Sequence, residues 1–210
     1  MLVENVTKQS LDEYVSENFY KSLGATTLGF KPLDRFDKEK IVPTENDTYF
    51  RNQLIHGYVH DPATAMMGGV GGQAGVFSNM NDLAKLMQMY LQGGEYGGMR
   101  YFDTTTVENF NMRPYSSEGN RRAIGFDKPE INKMKSGTSF KGISDKSFGH
   151  TGFTGTIAWV DPEKQIVFIF LSNRIHPNIN NRKLIVSGFR PKIQKVIYDA
   201  IIMDSDLENE

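Results

Sequence analysis

The chain has 210 residues, of which 39% are hydrophobic, 23% charged and 11% aromatic, and this composition excludes a wholly disordered protein. The formal net charge of −1 excludes a strongly basic surface field, so we do not expect nucleic acid as a partner. No apolar run reaches the length that spans a membrane, and zero cysteines exclude disulfides, a thiol nucleophile and thiolate-bound zinc.

Two helices and a long irregular segment are predicted in the first 61 residues. Ser10-Leu11-Asp12-Glu13 forms a capping box, and the apolar residues after it recur at helical spacing, which predicts a helix over about 10–21 that ends before Gly24. Apolar residues within 2–6 resemble the end of a preceding helix, so we expect the printed sequence to begin inside a helix. Residues 29–61 are aperiodic and contain two prolines, which predicts irregular structure with short strands.

The middle of the chain contains one strongly periodic helix, predicted over about 80–92 and ended by Gly93-Gly94. Its apolar face consists of Leu83, Leu86, Met87, Tyr90 and Leu91. Residues 103–110 predict a short helix with an aspartate in the capping position. Residues 115–147 are polar and predict a loop with one short strand around 123–126.

Three short β-prone runs follow, at 148–152, 154–160 and 165–172. The last two are separated by Asp161-Pro162-Glu163-Lys164, in which proline occupies a turn position. Three adjacent antiparallel strands are therefore expected. The sequence predicts an α+β fold in which an antiparallel sheet is flanked by helices.

A final helix is predicted to begin at Arg190-Pro191 and to pack on this sheet. Its predicted buried face consists of Ile193, Val196, Ile197, Ala200 and Ile201. We expect one domain over residues 1–203, followed by a disordered, frayed acidic tail at 204–210.

His56, His60 and Asp61 form a candidate metal site, because two histidines four residues apart share one face of a helix. Gly57 and Val59 disfavour a helix there, and no second ligand cluster is present, so a structural role is preferred. Metal-dependent hydrolysis through these residues is an alternative that would require stoichiometric metal in the purified protein.

The segment 68–75 has five glycines in eight positions. It lacks the Gly-Lys-Ser/Thr ending of a phosphate loop and matches the dinucleotide fingerprint only in its first two glycines. We therefore prefer a tight backbone crossing over cofactor binding, and we predict no cofactor.

The most informative segment is 148–156, which contains His150-Thr151-Gly152 at the end of a predicted strand. A histidine and a threonine beside glycines place polar groups at a sheet edge, and the missing side chain of Gly152 would let a substrate lie against the backbone. A lone histidine is more often structural than catalytic, but the longer pattern favours a site.

His150-Thr151-Gly152 matches the histidine version of the third motif, Lys/His-Thr/Ser-Gly, of a known family. Residues 68–85 and 12–32 are also similar to that family, so the resemblance covers nearly the whole chain. The sequence resembles serine β-lactamase and penicillin-binding-protein-like hydrolases, in the branch related to class C enzymes, D-alanyl-D-alanine carboxypeptidases and lactamase-fold esterases. It is similar to the lactamase-like domains found downstream of family 3 glycoside hydrolases.

This resemblance implies a β-lactamase/transpeptidase-like fold whose N-terminal part is missing, and acyl-enzyme chemistry through Ser-x-x-Lys and Tyr-x-Asn motifs. Neither motif occurs in the printed sequence. We therefore expect the C-terminal portion of a serine hydrolase that acts on D-amino-acid peptides, esters or lactams. The isolated chain is predicted to be inactive.

The resemblance also implies the roles of individual residues. His150 would be catalytic, by positioning a substrate carboxylate or sharing in a proton relay, while Thr151 and Gly152 would bind substrate. The Phe153 N–H would be one of two oxyanion donors. Gln73 stands where close relatives have histidine, and Phe153 is bulkier than usual after the motif, which would narrow the site.

A non-catalytic module that binds peptidoglycan-type peptides or sugars, or supports an attached glycosidase, is an alternative. The expected partner is a small-molecule or peptidoglycan-type substrate, and the longer protein is expected to carry an upstream glycoside hydrolase domain. The family's substrates imply a periplasmic or extracellular location, although the printed sequence contains no secretory signal.

Overall fold

The computed structural model of the chain describes residues 2–135 and 137–207, with side chains described up to residue 201. Two compact units are present. The first contains the residues up to Leu86 together with Leu171–Asn181, and the second contains Met87–Phe170 together with the residues from Arg182 on. None of the helices within the described part of the chain is long and apolar enough to cross a membrane.

The first unit begins with two helices, α1 (Leu2–Thr7) and α2 (Leu11–Val15). Ser10 caps α2 through a complete capping box with Glu13, which confirms the predicted helix start. The helical path then continues as one π-helical turn over Ser16–Tyr20. The predicted helix is therefore correct in position, but its second half is wound more loosely than an α-helix.

A hairpin lies within the predicted irregular segment, between two short 3₁₀ turns and the next helix. Strand β1 (Pro43–Asp47) pairs antiparallel with β2 (Gln53–His56). The Asp47 carboxylate accepts the N–H groups of Tyr49, Phe50 and Arg51 and so orders the connection. Burial opposes ionisation of this carboxyl, but the three amides hold the pKa of Asp47 well below its usual value.

The glycine-rich segment makes the predicted tight crossing after helix α3 (Pro62–Met66). Gly75 has φ +111°, and a Cβ on it would lie 2.5 Å from the Gly69 carbonyl oxygen. The chain then pairs Phe77 with Gly29 and enters helix α4 (Met80–Leu91), which confirms the predicted long helix.

The second unit contains a small hairpin that was not predicted, formed by β3 (Glu95–Tyr96) and β4 (Met99–Arg100). Gly97-Gly98 connects the two strands with positive φ at both residues, a known signal for a two-residue hairpin turn. Helix α5 (Thr104–Asn111) follows, as predicted.

The predicted strand around 123–126 is wrong. The Ala123 N–H bonds to the Phe126 carbonyl over 3.0 Å, so the segment closes a local turn and does not extend. Strand pairing occurs one residue later, as a single bridge between Asp127 and Gly149.

The predicted three-stranded antiparallel sheet is confirmed, with the order β5 (Phe148–Thr151), β6 (Ile157–Asp161) and β7 (Ile166–Phe170). One hydrophobic cluster covers it, formed by Ile143, Ile157, Trp159, Phe168 and Tyr198. This packed sheet supports strand β5 and the residues at its end.

Two helices end the described chain, α6 (Lys183–Val186), which was not predicted, and α7 (Phe189–Leu207). Helical backbone therefore covers 204–207 of the predicted acidic tail at 204–210. Residues 208–210 of that tail lie outside the described residues. The domain boundary at 203 stays a prediction.

The predicted buried face of α7 is wrong except for Ile193, which packs partly against the core. The exposed members of that face are Val196, Ile197, Ala200 and Ile201. Gln194 and Tyr198 are buried instead, because Gln194 Oε1 accepts the Phe140 N–H and the Tyr198 hydroxyl donates to Asp161, each over 2.7 Å. Polar partners, not apolar periodicity, decide which side of this helix faces inward.

Candidate active site

Strand β5 places His150 and Thr151 at its end, opposite Ala158 and Ile157 of β6. His150 is exposed and Thr151 is partly buried. Successive side chains of a strand point to opposite faces of the sheet. A molecule that contacts both residues must therefore lie along the strand edge and not on one face.

The outer edge of β5 is paired at one position only among the residues that the structure describes. Gly149 and Asp127 exchange two backbone hydrogen bonds, of 2.7 and 3.1 Å, and no strand continues this pairing. Outward-facing backbone groups recur every second residue, so the backbone groups of Thr151 point to the same edge as those of Gly149. This edge is suited to an extended ligand backbone.

The His150 ring has two close partners. Nδ1 lies 2.7 Å from the carbonyl oxygen of Thr151, and Nε2 lies 2.8 Å from Nη1 of Arg122. Arg122 lies in the polar loop before β5, where the sequence shows no periodicity that would have indicated it. The Arg121-Arg122 pair is the only local signal, and solvated charge pairs of this kind are common in loops.

A buried carboxylate supports this arginine pair. Asp127 is 1% exposed and accepts hydrogen bonds from Arg121 Nη2, over 2.8 Å, and from Thr138 Oγ1, over 3.0 Å. Its other oxygen lies 3.8 Å from Arg122 Nε. Because the Asp127 backbone also pairs with Gly149, one residue ties the arginines to β5 immediately before the predicted motif.

Gly152 begins a tight turn in which Thr156 occupies the space beside the glycine. The Gly152 N–H bonds to the Thr156 carbonyl over 2.9 Å, and the Gly155 N–H bonds to the Gly152 carbonyl over 3.0 Å. A Cβ on Gly152 would lie 2.2 Å from Thr156 Oγ1. The Thr156 hydroxyl therefore lies where a side chain at position 152 would be, and substrate binding by Gly152 stays a prediction. The Phe153 side chain is 55% exposed beside this turn.

The candidate metal residues each serve a different local contact. His56 Nε2 lies 2.5 Å from the Ile41 carbonyl oxygen, and His60 Nδ1 lies 2.5 Å from Glu45 Oε1. Within the described residues, no group of three His, Cys, Asp or Glu side chains could hold a metal ion. The two rings thus contact residues in or beside the β1–β2 hairpin, and a structural role for them stays a prediction.

Asp61 caps helix α3. Its carboxylate accepts both the N–H and the hydroxyl of Thr64 over 2.7 Å, and these two bonds hold the pKa of Asp61 below its usual value. Gln73, the noted departure from close relatives, donates to the same hydroxyl over 3.0 Å. Its side chain thereby ties the glycine-rich segment to the start of α3.

A family model described as Beta-lactamase matches residues 1–186. The chain belongs to the Beta-lactamase family. It is 37% identical over 208 residues to a putative D-alanyl-D-alanine carboxypeptidase of Salmonella gallinarum, and 38% identical to one of Salmonella schwarzengrund. Each match covers 90% of this chain and 47% of the relative. The chain therefore spans about half the length of the curated relatives it matches.

Solved structures show the same fold. A β-lactamase from Mycobacterium bovis superposes with a TM-score of 0.62 at 15% identity, covering 95% of this chain and 59% of that one. A simvastatin synthase mutant from Aspergillus terreus gives a TM-score of 0.62 at 18% identity, covering 96% and 53%. These matches confirm the predicted β-lactamase/transpeptidase-like fold. The expected link to glycoside hydrolases stays a prediction.

Proposed function

We propose that this chain is part of a serine hydrolase that forms an acyl-enzyme on D-amino-acid peptides, esters or lactams. The observation that carries the proposal is His150-Thr151-Gly152 at the open edge of β5, in a chain that belongs to the Beta-lactamase family. The carboxypeptidase name of its Salmonella relatives favours peptides that end in D-alanine. Such substrates are cell-wall peptides, so we also propose a periplasmic or extracellular location.

Within this proposal, the edge of β5 binds the substrate backbone in extended form. The Thr151 backbone groups would pair with it, and the Thr151 hydroxyl would donate a further hydrogen bond. The Phe153 N–H, in the turn that follows, would donate to the oxyanion. Removal of one oxyanion donor typically lowers the rate constant by a factor of about 10² to 10³. The Phe153 N–H would therefore contribute substantially to the rate, but it cannot replace a nucleophile.

The printed sequence contains neither Ser-x-x-Lys nor Tyr-x-Asn. We propose that a longer protein supplies both motifs upstream of residue 1. The match to the Salmonella relative covers only 47% of that relative, so the relative has length beyond the matched part. The 210-residue chain alone is then inactive, since without the nucleophile no acyl-enzyme forms. We also propose, from the resemblance alone, that this longer protein carries a glycoside hydrolase domain.

Intact-mass spectrometry after incubation with a penicillin or a serine-reactive phosphonate tests this function. We expect one adduct on a protein extended upstream to include Ser-x-x-Lys, and none on the 210-residue chain. Replacing the serine of that motif by alanine should abolish the adduct. An adduct on the 210-residue chain, or its persistence in the alanine variant, would contradict the assignment of the nucleophile.

A second candidate is a non-catalytic module that binds peptidoglycan-type peptides or sugars. A longer protein that also lacks Ser-x-x-Lys would favour this candidate. Under this alternative the extended protein gives no adduct with either reagent, while a peptide that ends in D-alanyl-D-alanine still binds to the 210-residue chain. Calorimetric titration of that peptide into wild-type chain and Thr151→Ala measures this binding.

A further inference from the structure

The turn between β5 and β6 is closed by two backbone hydrogen bonds and by one side chain from α7. The Gly155 N–H bonds to the Gly152 carbonyl, and the Gly152 N–H bonds to the Thr156 carbonyl. Nη1 of Arg190 lies 3.2 Å from the Gly155 carbonyl oxygen and 3.1 Å from that of Thr156. One guanidinium nitrogen carries two N–H groups, so it can donate to both oxygens. The Thr156 carbonyl therefore joins the motif glycine, the turn and the helix.

The contacts of Arg190 do not depend on a mobile partner side chain. Both acceptors are backbone carbonyls, Gly155 is buried, and Arg190 itself is partly buried. Hydrogen bonds from a charged donor are stronger than those between neutral groups. Gly155 has φ +112°, so the arginine holds the turn at a position that glycine adopts much more readily than other residues.

Helix α7 directs Arg190 towards this turn. Arg190, Gln194 and Tyr198 recur every four residues, which places them along one face of the helix. Gln194 is buried and accepts the Phe140 N–H. Tyr198 is buried and donates to Asp161. All these residues belong to the same compact unit, so the two buried contacts hold this face of α7, and with it the Arg190 backbone, beside the sheet.

We propose that Arg190 is a positioning residue that holds the β5–β6 turn in the shape in which the Phe153 N–H would meet an oxyanion. Phe153 lies inside the turn that Gly152 and Gly155 close. An oxyanion donor is effective when it is aimed before the charge develops, so a looser turn would slow acylation although the donor is still present. This catalytic consequence rests on the proposed function, whereas the hold on the turn is a property of the 210-residue chain.

Amide hydrogen exchange, measured by NMR on the 210-residue chain, tests the hold on the turn. In Arg190→Met we expect the Gly152 and Gly155 amides to exchange faster by about tenfold or more, because the turn opens locally once its charged donor is lost. The amides of β6 should exchange as in wild type. Arg190→Lys keeps a charged donor on a long side chain and should restore part of the protection. Arg182→Met removes an exposed arginine from the same unit and should change nothing.

Rotation of the Arg190 guanidinium in the wild-type chain gives a test that needs no variant. Hydrogen bonds from Nη1 to two carbonyls should slow this rotation. We therefore expect separate NMR signals for the two terminal nitrogens of Arg190 at a temperature where exposed Arg182 gives one averaged signal. A single averaged signal for Arg190 would overturn the proposal. Unchanged glycine exchange in Arg190→Met would overturn it as well, as would an equal acceleration in Arg182→Met.

The catalytic consequence is measured on the extended protein with a penicillin. Arg190→Met should lower the acylation rate constant by about tenfold or more, within the factor of about 10² to 10³ that follows complete loss of one oxyanion donor. The Kd of the complex that precedes acylation should change little. An unchanged rate constant would overturn the role in catalysis. If the wild-type extended protein forms no adduct, the proposed hydrolase function fails, and the hold of Arg190 on the turn stands or falls on the exchange and rotation results.

Discussion

Lys128 is a buried lysine in the unit that carries the candidate site. Its side chain is 4% exposed, and Nζ donates to Asn111 Oδ1 over 2.7 Å and to the Lys146 carbonyl over 3.3 Å. Burial, together with the nearby Arg113 charge, lowers the pKa of Lys128 to about 8, while Asp145 opposes the shift. The folded chain therefore carries the cost of a buried charge at neutral pH.

This cost predicts how stability depends on pH. Between pH about 8 and the unfolded lysine value of about 10.4, the unfolded chain binds more protons than the folded one, so the free energy of unfolding rises with pH. The slope approaches about 1.4 kcal/mol per pH unit, and below pH 8 the penalty is fully present. Urea unfolding of the wild-type chain measures this slope, at steps of about half a pH unit from pH about 8.0 to about 9.5, inside the range where the two states differ in protonation.

Lys128→Met should flatten this slope, because the variant has no titrating group at the position. Lys141→Met, which removes an exposed lysine, should keep the wild-type slope. The comparison uses slopes, so a change in overall stability from the lost Asn111 contact does not affect it. Equal slopes in wild type and Lys128→Met would show that Lys128 is not the origin of the pH dependence.

At the scale of elements, helix α7 is fastened to the sheet through a buried polar contact. Burial opposes ionisation of Asp161, but the hydroxyls of Ser144 and Tyr198 and two backbone amides hold the pKa of this carboxyl below its usual value. Burial and the same carboxylate raise the pKa of the Tyr198 hydroxyl. The helix thus donates a hydrogen bond to an ionised partner at the end of β6.

Tyr198→Phe removes that hydrogen bond while keeping the ring in the core, and we expect a loss of about 1.5 to 3 kcal/mol in the free energy of unfolding at pH 7. Val196→Ala, on the face that periodicity predicts to be buried, should change it by less than about 0.5 kcal/mol because Val196 is 67% exposed. Urea unfolding of both variants shows which side of α7 is buried, the side that carries Tyr198 or the side that carries Val196. A larger loss for Val196→Ala would support the face predicted from sequence.

The elements that sequence predicts well are those whose pattern is local. Helix α4 follows from apolar periodicity, and the three strands of the sheet follow from β-prone runs separated by turn residues. The inward side of α7 does not follow, because it depends on Phe140 and Asp161, which are distant in sequence. The strand predicted at 123–126 failed because Gly125, with φ +83°, lets the chain make the turn that Ala123 and Phe126 close.

The candidate site shows the same division. His150-Thr151-Gly152 is a contiguous motif, so the sequence indicates it directly, and the structure places it at the end of β5. Arg122 and Asp127 lie 28 and 23 residues before His150, in an aperiodic polar loop. Their contribution arises from one bridge between the loop and β5, and no spacing rule applied to a single sequence would reveal it.

At the scale of the whole molecule, the edge of the sheet formed by β7 has no strand partner in the described part of the chain. Strand β7 pairs with β6 on one side, and no described strand pairs with its other side. Its five residues, Ile166-Val167-Phe168-Ile169-Phe170, include no charge, proline or glycine. Such an edge is a template for pairing with another strand, and α7 adds exposed Val196, Ile197 and Ile201 in the same unit.

We therefore expect the 210-residue chain to self-associate, with a molar mass by light scattering that increases with concentration. Val167→Lys places a charge on the open edge strand, which opposes strand pairing, and should shift the chain towards monomer. Val42→Lys adds the same charge at an exposed valine of the other unit and should leave association unchanged. A monomeric mass for wild-type chain at every concentration would refute the expectation. Equal effects of both lysines would trace association to net charge, because the edge of β7 is altered in only one of them.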